Sequence, residues 1–76
     1  MAAERSIRLE AVGPLSQRET AVLEMVAAGL TNTETAERLG VSVHAIKFHL
    51  ASIYRKLGVS NRTEAAITFV SLRGSH

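Results

Sequence analysis

Five cations and no acid lie between Glu37 and Glu64: Arg38, Lys47, Arg55, Lys56 and Arg62. Cations crowded onto structured sequence suit one task above others, the neutralisation of a polyanion. The asymmetry is hidden in the total. Residues 1–37 carry six Glu and three Arg, whereas residues 38–76 carry six Lys or Arg and only Glu64, so the net charge of +2 masks a basic half. Charge alone does not separate a nucleic-acid partner from a solvated face, and the side chains around these cations have to decide.

Other residue types that do chemistry are sparse. There is no Cys, which excludes a disulfide framework and thiolate metal sites and fits a reducing compartment. There is no Asp either, and His44 and His49 are five apart, a spacing that keeps two imidazoles off one helical face. With His76 at the far end, no metal site or other cofactor is expected. No nucleophile–base constellation and no Gly-rich phosphate loop stand out, and 76 residues leave little room for a small-molecule pocket, so an enzyme is the poorest reading. The N-terminal "MAAERSIRLE" has no apolar run of the signal-peptide kind and no segment approaches a membrane span. A cytoplasmic location without a membrane partner is expected.

The elements that would position the basic block are marked by stop and start signals. Ser16 and Glu19 form a capping box that opens a helix over 16–28, with Val22, Leu23, Val26 and Leu30 on one side and Gly29 at its end. Thr31 and Glu34 open a second over 31–39, with Thr35, Ala36 and Leu39 inward, and Gly40 closes it. Ser42 caps a third over 42–57, ended by Gly58, and Asn61 with Glu64 opens a fourth over 61–72. Glu19, Glu34 and Glu64 are thus read as caps, not catalytic acids. No stretch alternates with period two for long, so the expected class is all-α: a four-helix bundle. The spacer "GVS" between helices two and three is a tight helix-turn-helix connection. Residues 1–13 read as a loose arm or linker remnant, 14–72 as the domain and 73–76 as a tail, "RGSH" resembling the start of an expression tag.

Helix three carries the argument. At about 100° per residue, Ile46, Leu50, Ile53 and Leu57 form one narrow stripe that must face the core. The opposite face collects His44, Phe48, Ala51, Ser52 and Arg55, with Lys47 on its flank, His49 on the border of the stripe and Tyr54 and Lys56 at the core boundary. Exposed single apolar residues are common, and Phe48 could cover a loop or meet another subunit. In a DNA major groove, however, an apolar side chain meets a thymine methyl and a Lys meets guanine O6 and N7. The second helix of a tight helix-turn-helix has the geometry for such contacts.

Together these residues resemble the LuxR/GerE-type helix-turn-helix of bacterial transcription factors, the kind found as a response-regulator output domain. The matching text runs from Leu15 to Phe69. It comprises Leu15, Ser16, Arg18 and Glu19; Ala27 and Gly29; Ala36 and Leu39; Gly40 and Ser42; Ile46, Lys47, His49, Ile53, Lys56 and Leu57; and Arg62, Thr63, Glu64 and Ala65. The resemblance implies sequence-specific binding of double-stranded DNA by a transcriptional regulator, with helix three as recognition helix. It implies base reading by Lys47 and Phe48, with Ala51 at a further base-reading position but too short for a hydrogen bond. It implies phosphate contacts from Lys56, Arg62 and His49 and from the hydroxyls of Thr31 and Ser42. The exposed face adds His44 as a candidate base contact and Arg55 as a candidate phosphate contact. Three positions depart from the family pattern: Thr35 stands for a core Ile, Ala45 for a Thr, and Phe48 for a common Val, so base preference does not transfer.

The fourth helix in that family forms a symmetric dimer interface. Here Ala65, Ala66, Ile67, Phe69, Val70 and Leu72 cover more than one core-facing stripe, and Ala65, Ala66, Phe69, Val70 and Leu72 are the expected dimer residues. RNA polymerase is a further candidate partner, and the location implied is nucleoid-associated. The competing reading is a helical protein-interaction module using Phe48 and helix four, which would bind without salt dependence. A receiver needs an acceptor Asp, so this chain is not expected to sense by phospho-aspartate. Either an excised output domain or a small standalone regulator fits.

Overall fold

The computed structural model describes residues 14–73. The expected arm over 1–13 and the tail beyond Arg73 lie outside them. Four helices follow in order: α1 Gln17–Ala27, α2 Asn32–Leu39, α3 Val43–Leu57 and α4 Arg62–Arg73. No strand occurs among the described residues. Arg73, expected in the tail, is the last residue of α4.

The helices begin where side chains can satisfy the orphan amides of a first turn. At α1 the Ser16 hydroxyl accepts from the Glu19 N–H at 3.0 Å, and Glu19 Oε1 accepts from the Ser16 N–H at 2.8 Å. Thr31 and Glu34 repeat this at α2 with the same two distances. Ser42 caps α3 one-sidedly, accepting from the Ala45 N–H at 3.0 Å, because alanine offers no return bond. At α4 the box is displaced: Asn61 Oδ1 accepts from the Glu64 N–H at 2.9 Å, while the Glu64 carboxylate takes the N–H of Ser60 instead, at 2.7 Å.

The ends share a device. Gly40 and Gly58 sit at φ of 69° and 71°, the left-handed region that a side chain disfavours. The next residue's N–H then reaches back across the last turn, from Val41 to the Ala36 carbonyl and from Val59 to the Tyr54 carbonyl, each at 3.0 Å. The three-residue turn at Gly40 sets α3 against α2.

α1 packs on α3 and α4, and α2 packs on α3. The core at their meeting consists of Val22, Leu23 and Val26 from α1, Ala36 from α2, Ile46, Leu50 and Ile53 from α3, and Ala65 from α4. Each fully buried Leu or Ile contributes about 1.5–3 kcal/mol, so a core of this size makes a stable but modest domain. Thr35 is completely buried among these apolar groups. Its hydroxyl donates to the Thr31 carbonyl of its own helix at 2.8 Å, which removes the penalty of an unpaired buried polar group.

Candidate nucleic-acid interface

Packing the Ile46–Leu50–Ile53 stripe inward leaves His44, Lys47, Phe48, Ala51 and Arg55 exposed along the other side of α3. Their spacing of three and four places them on one continuous face. Phe48 is 73% exposed, the most solvent-facing large apolar residue among those described. Its ring meets the half-buried His49 edge-on, with centroids 6.1 Å apart and 68° between planes. No acid lies on α3, and Lys47 and Arg55 form no ion pair among the described residues. The face is therefore an apolar ridge between uncompensated cations.

Of the six expected phosphate contacts, Arg55 is exposed and His49 half-buried on α3, and the other four divide into two groups. Thr31 and Ser42 are exposed N-caps, and each hydroxyl oxygen accepts a backbone N–H while its own hydrogen stays available to an anion. Lys56 and Arg62, by contrast, are turned inward. Lys56 Nζ lies 2.8 Å from Glu19 Oε1 and 3.3 Å from the Pro14 carbonyl. The guanidinium of Arg62 donates to Asn32 Oδ1 at 2.7 Å and to the Leu30 carbonyl, bridging the start of α4 to the α1–α2 turn. Both were expected to meet phosphate, with the helix dipole as the other reading of Lys56; each has partners inside the domain. Backbone carbonyls and a distant Asn or Glu supply their partners, none of which is visible from local spacing.

Ser52 is corrected as well. It was expected on the wet face with Phe48, but it is half-buried and its hydroxyl donates to Glu19 Oε2 at 2.6 Å. Glu19 thus does more than cap α1. Only 6% exposed, it accepts from Ser16, Ser52 and Lys56. Burial works to raise its pKa, but these hydrogen bonds and the Lys56 charge outweigh burial and hold the carboxyl at about 2, below its ordinary 4.5.

On α4, Ala65 is completely buried in the core and presents nothing to a second subunit, which corrects its place among the dimer residues. Phe69 is half-buried against the core, with the Arg73 guanidinium 5.3 Å from its ring centre. Ala66 and Val70 line the outward side together with Ile67, 60% exposed, which the reading left off the interface. Leu72 follows Ala65 by seven residues and so lies on the same side of α4, yet it is 59% exposed. Among the described residues no three His or Glu side chains gather as a metal site, and no helix is long and apolar enough to cross a membrane.

Comparison with known proteins bears on this geometry. Residues 13–69 match the family described as bacterial regulatory proteins, luxR family. The chain is 44% identical over 63 residues to "Probable transcriptional regulatory protein SgaR" of Hyphomicrobium methylovorum, an alignment spanning 82% of this chain and 30% of that protein. It is 44% identical over 59 residues to the HTH-type transcriptional activator RamA of Corynebacterium glutamicum, covering 78% of this chain and 21% of the relative. With the HTH-type transcriptional regulator MalT of Vibrio campbellii it shares 41% over 59 residues, 78% of this chain but 6% of that protein. The chain therefore corresponds to less than a third of the length of each of these regulators.

Proposed function

The chain belongs to the luxR family of bacterial regulatory proteins, whose helix-turn-helix domains bind double-stranded DNA, and from that premise we propose that α3 enters the major groove and reads a specific sequence. One observation carries the reading: the outward face of α3 is exposed and acid-free, with Phe48 standing between Lys47 and Arg55. His44, Lys47, Phe48 and Ala51 face the base edges. Arg55 and the cap hydroxyls of Thr31 and Ser42 meet phosphate, and His49 steadies Phe48 from the flank. The internally bonded Lys56 and Arg62 hold the helices rather than the DNA. Two copies related by a two-fold axis meet through Ala66, Ile67 and Val70 of α4, so that two recognition helices address a two-fold operator.

The test is fluorescence anisotropy of a labelled random-sequence duplex over a salt series. Affinity falls with a slope of about −0.9 per neutralised phosphate. Lys47→Ala costs about 1–3 kcal/mol on a site selected by the wild-type chain, and Phe48→Ala changes the selected consensus more than the overall affinity. Salt-independent binding, or none at low salt, sinks the DNA reading. It would favour the use of Phe48 and α4 as a protein-docking surface.

A further inference from the structure

Hydrophobic contact is non-directional, so the Ile46–Leu50–Ile53 stripe fixes which side of α3 is inward without bonding it at any one angle. Hydrogen bonds to a rigid acceptor are directional. Glu19 is such an acceptor, since its carboxylate is held by the Ser16 N–H at the start of α1. From that one point it receives Ser52 Oγ at 2.6 Å on one oxygen and Lys56 Nζ at 2.8 Å on the other. Ser52 and Lys56 are four residues apart, so the carboxylate grips two successive turns of α3 on a flank that the apolar stripe does not cover. Lys56 also bonds the Pro14 carbonyl, just ahead of α1, at 3.3 Å.

We propose that Glu19, Ser52 and Lys56 are positioning residues that set the roll and register of α3, and through it the simultaneous reach of His44, Lys47, Phe48 and Ala51 to base edges, without themselves touching DNA. This rests on the DNA-binding reading above. A recognition constellation tolerates roughly 10–20° of misorientation before contacts are lost, so a loosened α3 loses discrimination between sequences first. Attraction to phosphate depends on the number of cations and survives.

That division separates the proposal from a role for Lys56 as a phosphate ligand. Glu19→Gln keeps an acceptor for the Ser16 cap but removes the charge that holds Lys56. If Lys56 were a phosphate ligand restrained by Glu19, this variant would bind all DNA more tightly with a steeper salt slope. As a positioning group, it instead loses affinity for the site selected by the wild-type chain, on the order of tenfold, while random-duplex affinity and salt slope stay put. Ser52→Ala, which changes no charge, behaves alike, and Ser52→Thr, which restores the hydroxyl, recovers most of the loss. Anisotropy on the selected and random duplexes, with circular dichroism to establish that each variant is folded, reads these outcomes. Unchanged discrimination in folded Ser52→Ala and Glu19→Gln, or tighter binding by Glu19→Gln, overturns the positioning role alone. Wild-type chain that binds neither duplex overturns the DNA reading with it.

Discussion

Glu19 shows how one side chain acquires duties that its sequence position does not announce. Its place three residues after Ser16 marks a cap, and the cap is present. The two donors from α3 come from residues 33 and 37 positions away, a separation that no local pattern encodes. The same holds for Arg62, whose partners Asn32 and Leu30 lie 30 and 32 residues back. Glu19 also makes stability depend on acid. Its folded-state pKa of about 2 lies below the ordinary 4.5, so its contribution is full above 4.5 and is lost as pH falls through about 2. Denaturant titrations between pH 5 and 2 therefore show falling stability, and Glu19→Gln, less stable at neutral pH, flattens that fall. An unchanged pH dependence in this variant would show that other carboxylates are responsible.

At the level of the element, the helices were legible because each carries its own punctuation. The expected bounds lie within a residue of those observed, and apart from the buried Glu19 the inward residues of α1, α2 and α3 are those their spacing predicts, with Leu30, Leu39 and Leu57 half-buried at the core edge. The inward place of Thr35 was legible from spacing, and its hydroxyl meets the i−4 carbonyl of its own helix. α4 was harder to read. Apolar residues cover most of its circumference, so periodicity alone could not assign Ala65 to the core and Ile67 to the outside. The glycine ends make a prediction of their own. A Cβ at Gly40 would meet nothing within 4 Å, so Gly40→Ala suffers only from the backbone, whose φ is 69°. The expected loss is about 1–2 kcal/mol, seen as a lower denaturation midpoint with an unchanged slope. A midpoint equal to wild type would mean that the turn has relaxed out of the left-handed region.

Over the described residues as a whole, the exposed large apolar side chains fall in two places: Phe48 stands among the cations of α3, and Ile67, Val70 and Leu72 lie on α4. If α4 joins two copies, Ile67→Glu weakens self-association in sedimentation velocity, and weakens cooperative binding to a two-fold site more than binding to a half-site. Its thermal stability stays near that of wild type because Ile67 is 60% exposed. Equal losses on full site and half-site would place Ile67 outside any subunit contact. Glu at Ala65 is the contrasting control, since a carboxylate in a fully buried position unfolds the domain rather than separating copies.

The bond from Lys56 to the Pro14 carbonyl gives the domain a mechanical character. Pro14 lies just ahead of the first turn of α1, and Lys56 belongs to the last turn of α3. This single exposed hydrogen bond, 3.3 Å long, ties residue 14 to α3 from outside both helices, so breaking it unwinds neither. The residue just ahead of α1 and the helix proposed to read DNA are joined by one side chain, much as a cable is clipped to the part it steers.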